Sequence, residues 1–235
     1  MTVPLPPLPP TGHDEVYRPG GRSMVELLAE EHDQIAALCA GLTGDTAGLG
    51  GDTAGLTGDT AGLGGDPTAR RRSRVAEVLT ATVVRHLSGE EQYLYPTIRA
   101  VLPGGGALAD REIAADAELL RSLRDLVGAA PTESRFGQLA DELAGQLRRH
   151  ADAAATDIFP ALRGVVGEAD LIRLGNRVEI AEEAAPTWPH PDAPATPPWN
   201  RVVQPALGVL DKVRDAVTGR RTYPDDLARR PPSMI

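Results

Sequence analysis

Two residues set four apart raise the first question of chemistry. In HLSGEEQYLYP, residues 86–96, His86 and Glu90 fall one helical turn apart and so share a helix face. An imidazole nitrogen and a carboxylate oxygen at that spacing can hold one metal ion from a rigid rod. Tyr95 and Pro96 close the stretch, the proline ten residues after the histidine. The same ending returns in HADAAATDIFP, residues 150–160, which keeps His150, Phe159 and Pro160 but has alanines where the carboxylates stood. The two stretches are a matched but unequal pair.

Composition says which elements position them. The chain has 235 residues, 41% of them hydrophobic and 3% aromatic. Such a core must be built from Leu, Val, Ile and Ala, which favours helices over sheets. The length suits one domain with tails. Ser23 and Glu26 form a capping box ahead of a helix running to about Ala40, with Val25, Leu28, Ile35, Leu38 and Cys39 as its apolar stripe. His32 lies on that inward face, and Cys39 reads as a small buried hydrophobe. A second helix spans roughly 70–101, with a weak point at Ser88-Gly89 and a kink expected after Tyr95 at Pro96. Further helices are predicted over about 108–127, from Thr132-Glu133 to about Arg163, and over 168–184.

Between the first two helices, residues 41–68 repeat every seven: GLTGDTA, GLGGDTA, GLTGDTA, GLGGDPT. The glycines make a helical heptad too costly, so this is a linker. It lacks both the spacing of glycine-aspartate calcium repeats and the GK[ST] of a phosphate loop. Residues 1–21 form an extended Pro-rich arm; PPLPP could serve as a polyproline ligand, but a plain disordered tail is the preferred reading. Residues 185–235 form a Pro-rich strap with Trp188 and Trp199, expected to lie on the bundle, and then a short amphipathic helix after Pro205. Leu207, Leu210, Val213 and Val217 are its expected packing face, and His190 is expected in solvent. The bundle proper is assigned to 22–184.

Several function classes fall away. A net charge of −9 argues against general nucleic-acid binding. No apolar run approaches a membrane span, and MTVPLPPLPP lacks the basic start of a signal peptide. One cysteine forbids an intramolecular disulfide, so a cytoplasmic protein is expected. Hydrolase signatures such as GxSxG and HExxH are absent.

Aligned by their polar inward positions, the helices form two hairpins. His32 and Asp116 each have an apolar residue three further on, and His86-Glu90-Tyr95-Pro96 answers His150-Ala154-Phe159-Pro160. An up-down four-helix bundle can direct such a set inward from every helix. The order His, HxxxE, third-helix ligand, His, with its aromatic-proline ends, resembles the hemerythrin-like HHE cation-binding domains over about residues 23–164, and the strap and short helix look like the tails of actinobacterial members.

That resemblance implies an all-α bundle with one added helix and a C-terminal extension. It implies a non-haem di-iron centre for O2, NO or peroxide, in a monomer or small homo-oligomer. By position, His32, His86, Glu90 and His150 match the ligand pattern. Asp116 stands where the third helix usually has histidine, and Ala154 and Ala155 stand where the fourth usually has a carboxylate. One well-held iron at His32, His86 and Glu90 is expected, with a weaker second at Asp116 and His150. Glu112 and Tyr93 are further candidates, while Tyr95 is read as packing at the bundle end. Asp157 is two turns from His150, and Glu91 points about 100° from Glu90. Carrier, sensor and enzyme remain open, and so does a metal-free scaffold whose tails recruit partners.

Overall fold

Ser23 starts the first helix as its sequence requires. Its hydroxyl accepts from the Glu26 N–H at 3.3 Å, and the Glu26 carboxylate accepts from the Ser23 N–H at 3.1 Å. Ser23→Ala is expected to cost about 1 kcal/mol, read as a lower denaturation midpoint. In this computed structural model, residues 20–44, 66–193, 195–196 and 200–228 are described. Residues 45–65 of the heptapeptide repeat, PPLPP and Trp199 lie outside them. Helix α1, Met24–Thr43, runs past Ala40 into the first repeat and stops at Gly44, whose φ of 89° suits a residue without Cβ.

The expected second helix is interrupted. α2, Pro67–Gly89, passes into a π-turn, Glu90–Leu94, and then α3, Tyr95–Val101. Pro96 has no N–H to donate. The extra residue is absorbed just before it, where the Tyr95 N–H reaches back five residues to the Glu90 carbonyl. After α4, Gly105–Gly128, the pattern repeats: α5, Ser134–Ala153, a π-turn, Ala154–Ile158, and α6, Phe159–Val165. Here the Phe159 N–H bonds the Ala154 carbonyl ahead of Pro160. The paired aromatic-proline endings therefore mark a pair of π-turns rather than a simple kink.

The core divides in two. One apolar cluster joins Ile35–Leu42 of α1, Val75–Leu87 of α2, Leu119–Leu126 of α4 and Phe136–Leu147 of α5. The other joins Met24–Leu28, Leu94–Ile98, Ala109, Ala154–Leu162 and helix α7, Glu168–Ala184. His32, His86, Glu90, Asp116 and His150 occupy the band between them, one level on each helix. Among the described residues no strand occurs, and no helix is long and apolar enough to cross a membrane. Cys39 is a buried free thiol in the first cluster, pushed up to about 11 by burial.

The C-terminal extension docks through a different face from that expected, although Leu207 of the expected face is half-buried. Helix α8, Asn200–Thr218, includes Pro205 and buries Gln204, Asp211 and Asp215, while Leu210, Val213 and Val217 are 66%, 60% and 83% exposed. The buried carboxylates receive the strap. Asp211 accepts from the Thr187 and Trp188 backbone N–H groups, each at 3.1 Å, and Asp215 accepts from the Trp188 indole at 2.9 Å. Arg214 and Arg220 lie 3.8 and 4.2 Å from that indole. His190 is half-buried and 3.1 Å from Asp211 rather than free in solvent. A last turn, α9, Asp225–Ala228, follows.

Candidate metal centre

Each of the four main helices delivers one part of the buried band. His32 comes from α1, His86 from α2 with Glu90 at the start of its π-turn, Asp116 from α4 and His150 from α5. The histidines turn their Nε2 atoms to one place. His86 Nε2 is 3.0 Å from His32 Nε2 and 3.4 Å from His150 Nε2. Glu90 closes the set, with Oε1 3.4 Å from His86 Nε2 and Oε2 3.2 Å from His150 Nε2. Ligand atoms of His32, His86, Glu90 and His150 all lie within 4.8 Å of one another. Converging imidazole lone pairs repel unless a cation, a proton or a metal, lies between them. Glu90 Oε1 is buried with no hydrogen-bond partner among the described residues, so one hard oxygen donor stays available beside the three nitrogens. The donor set fits a metal that takes both nitrogen and oxygen.

Electrostatics sorts the roles. Burial and the neighbouring His86 push His32 down to about 3, so it presents a neutral imidazole. Burial also opposes charge on His86, but Glu90 and Glu31 outweigh it and hold its pKa well above the usual value. On His150 burial is likewise outweighed, chiefly by Glu90, and the pKa is raised. Burial alone would raise Glu90; His150 and His86 reverse that and keep it ionised. Without a metal, Glu90 thus favours the charged forms of His86 and His150, and they favour its own.

Asp116 stands beside this set rather than in it. Its Oδ1 lies 3.5 Å from His150 Nδ1, the ring nitrogen on the far side from the convergence point, and has no hydrogen-bond partner among the described residues. Burial and Glu90 raise it to about 7, with His150 opposing. Glu112 is buried but its carboxylate pairs with Arg111 at 2.8 Å. Tyr93 packs against the second apolar cluster. Glu91 points away from Glu90 as expected, and its carboxylate accepts from Gln204 at 2.5 Å.

Four residues at the centre were not expected there from the sequence. Tyr95 sends its hydroxyl to Glu90 Oε2 at 2.9 Å and Asp116 Oδ2 at 2.5 Å, so it is a polar member of the band and not mere end packing. The π-turn is the cause, because it brings position i+5 rather than i+3 or i+4 onto the face of Glu90. Glu31 Oε2 accepts from His86 Nδ1 at 2.7 Å. Glu182 of α7 joins Glu31 and His86 in a second group with ligand atoms within 4.8 Å. Phe159, from the second aromatic-proline ending, stacks on His32 with ring centroids 5.9 Å apart and planes inclined at 19°.

Comparison with known proteins agrees with this geometry. The model of the family described as hemerythrin HHE cation binding domain matches residues 23–162. An uncharacterised hemerythrin-like protein of Schizosaccharomyces pombe is 27% identical over 134 residues, covering 57% of this chain. The match spans 66% of that relative, just under two thirds of its length. No solved structure matches the chain.

Proposed function

The chain belongs to the hemerythrin HHE cation-binding family, whose model spans residues 23–162, and from that premise we propose that it is a non-haem iron protein that binds or senses O2, NO or peroxide. The observation that carries the reading is the convergence of His32, His86 and His150 with Glu90 between two apolar clusters. Those four residues hold the ion in this proposal. Iron accepts such mixed donors and, when bound, supplies open positions for a small oxidant.

The protein's own residues supply the rest. Glu31 fixes the His86 ring by accepting from Nδ1, which leaves Nε2 directed inward. Tyr95 steadies Glu90 and Asp116. The apolar clusters above and below the band keep bulk water away. A second ion would draw on Asp116, with Glu90 shared. His150 already aims Nε2 at the first position, so the second has fewer donors and binds more weakly. The same ligands serve a carrier, a sensor or an enzyme. A cytoplasmic setting belongs to this proposal and is supported by the single buried thiol of Cys39. So does the division into a bundle over 22–184 and an extension over 185–235.

Metal analysis of protein produced in iron-rich medium, with its near-ultraviolet charge-transfer spectrum, tests the reading. Bound iron with an oxidant-sensitive band is the expected result. Protein without metal and without a band would leave the helical scaffold with partner-recruiting tails in its place.

Proton competition gives a second test. Metal must displace the protons that Glu90 helps to retain on His86 and His150. Both pKa values are raised in the metal-free protein, so affinity should rise with pH through neutrality and fall in acid. The slope approaches about two log units per pH unit while both rings are protonated. Chelator competition at about pH 6, 7 and 8 measures it, and a flat profile would remove these histidines from the ligand set.

A further inference from the structure

We propose that α7, which lies beyond the end of the family match at residue 162, is part of the metal centre: Glu182 is a positioning residue that fixes Glu31 and, through it, the ring of the metal ligand His86. The proposal rests on the metal-centre reading above.

The first observation is Gly89, the weak point in HLSGEE. A Cβ built there would lie 2.9 Å from both Glu182 Oε1 and Val178 Cγ1. Glycine at this helical position is less favourable than alanine, and the space it leaves is filled by α7. Gly175 does the same from the other side, since a Cβ on it would lie 2.2 Å from the Arg22 carbonyl oxygen. Two glycines thus let α7 press onto the start of α1 and the end of α2. The close fit places Glu182 beside the His86-bearing turn.

The second observation is the company Glu182 keeps. Glu31, His86 and Glu182 each have a ligand atom within 4.8 Å of the others, and Glu31 already accepts from His86 Nδ1 at 2.7 Å. Two carboxyl groups at this range share a proton more readily than they both ionise. A proton shared between the two carboxyl groups lets Glu182 hold Glu31 in its place against His86 Nδ1. The order is Glu182, Glu31, His86, metal: a carboxylate behind a ligating histidine, with a second carboxyl behind it. The group stands behind the metal centre, because His86 directs its other nitrogen to the first set.

Packing alone does not account for Glu182. Its neighbours on the inner face of α7 are Leu171, Leu174, Val178 and Ala181, all apolar. Glu182 Oε1 is buried without a hydrogen-bond partner among the described residues. An apolar residue would fill the place at lower desolvation cost.

Cobalt(II) titration of the full chain against a chelator, with the d–d absorption of the bound ion, tests the role. Glu182→Ala and Glu182→Leu are expected to weaken binding about tenfold and to shift the absorption band. Leucine retains packing, so it answers for alanine if that variant folds poorly. Glu182→Gln, whose amide N–H can still donate to Glu31, is expected to restore binding to within about twofold. Ile180→Ala, on the same helix but 71% exposed, should match the wild type. Wild-type affinity and spectrum in both Glu182→Ala and Glu182→Leu would overturn the proposal alone. So would a Glu182→Gln variant as weak as Glu182→Leu. Wild-type protein that takes up neither cobalt nor iron would remove the metal centre and this proposal together.

Discussion

Glu90→Ala is expected to lower metal affinity by about two orders of magnitude. Metal held by about four protein ligands is worth roughly 10–16 kcal/mol in well-formed sites, or about 3 kcal/mol per ligand. Glu90 faces two of the three histidine Nε2 atoms within 3.4 Å and stands 4.0 Å from the third. It is also the carboxylate that carries the ion's charge. Asp116→Ala should cost less, about tenfold, because Asp116 approaches His150 from the Nδ1 side and acts behind the ligand. The Glu90 variant carries a second signature. Without Glu90, burial acts on His86 and His150 with less opposition, and their pKa values should fall. Residual metal binding should therefore depend less steeply on pH than in the wild type. Chelator competition across pH reads both effects, and equal metal content in the two variants would count against this ranking of the carboxylates.

Much of this site was legible because helices impose simple spacings. His86 and Glu90 share a face at i, i+4 whatever surrounds them, and His32 and His150 sit within apolar stripes of period 3.6. The bundle followed from the same stripes, and the start of α1 from the reciprocal Ser23–Glu26 pattern. What was not legible depends on geometry that a regular helix lacks or on distant chain. Tyr95 enters through a π-turn, and a 3.6 period puts Tyr93 in its place. The signal was nonetheless present, as a proline directly after the aromatic in both stretches. Glu31 was hidden by its neighbour, since an acidic residue before His32 looks like a solvated one until α2 brings His86 Nδ1 within 2.7 Å of it. Glu182 lies 96 positions after His86 and no spacing rule joins them. The docking face of α8 was misjudged for a related reason. Apolar residues mark the buried face only when the partner surface is apolar. Here the partner is a strap offering N–H groups, so Asp211 and Asp215 turn inward and Val213 and Val217 face out.

Tyr95→Phe is the variant in which the π-turn and the site can be tested at once. The ring is retained and fully buried, and one oxygen is removed. That oxygen sits 2.9 Å from Glu90 Oε2 and 2.5 Å from Asp116 Oδ2. One hydroxyl proton serves one of these contacts. The other is best served by a proton on Asp116, which burial and Glu90 raise to about 7. Loss of hydrogen bonds to charged or shared-proton carboxyls in a buried site costs about 1.5–3 kcal/mol. Metal-free Tyr95→Phe should be destabilised by that amount, with an unchanged denaturant slope. The sign of the pH effect follows from Asp116. Its folded pKa of about 7 exceeds its ordinary 3.8, so the folded state binds the proton more tightly and the group's contribution to stability declines as pH rises between those values. In the phenylalanine variant this decline should steepen toward neutrality, because two carboxylates then face each other with no donor between them. Denaturation midpoints at about pH 5 and 8 would show it. Equal losses at both would mean that the hydroxyl bonds Glu90 alone and that Asp116 stays outside the pair. Metal binding should narrow the difference between wild type and variant, because an ion held by Glu90 offsets the negative charge that the hydroxyl otherwise shares.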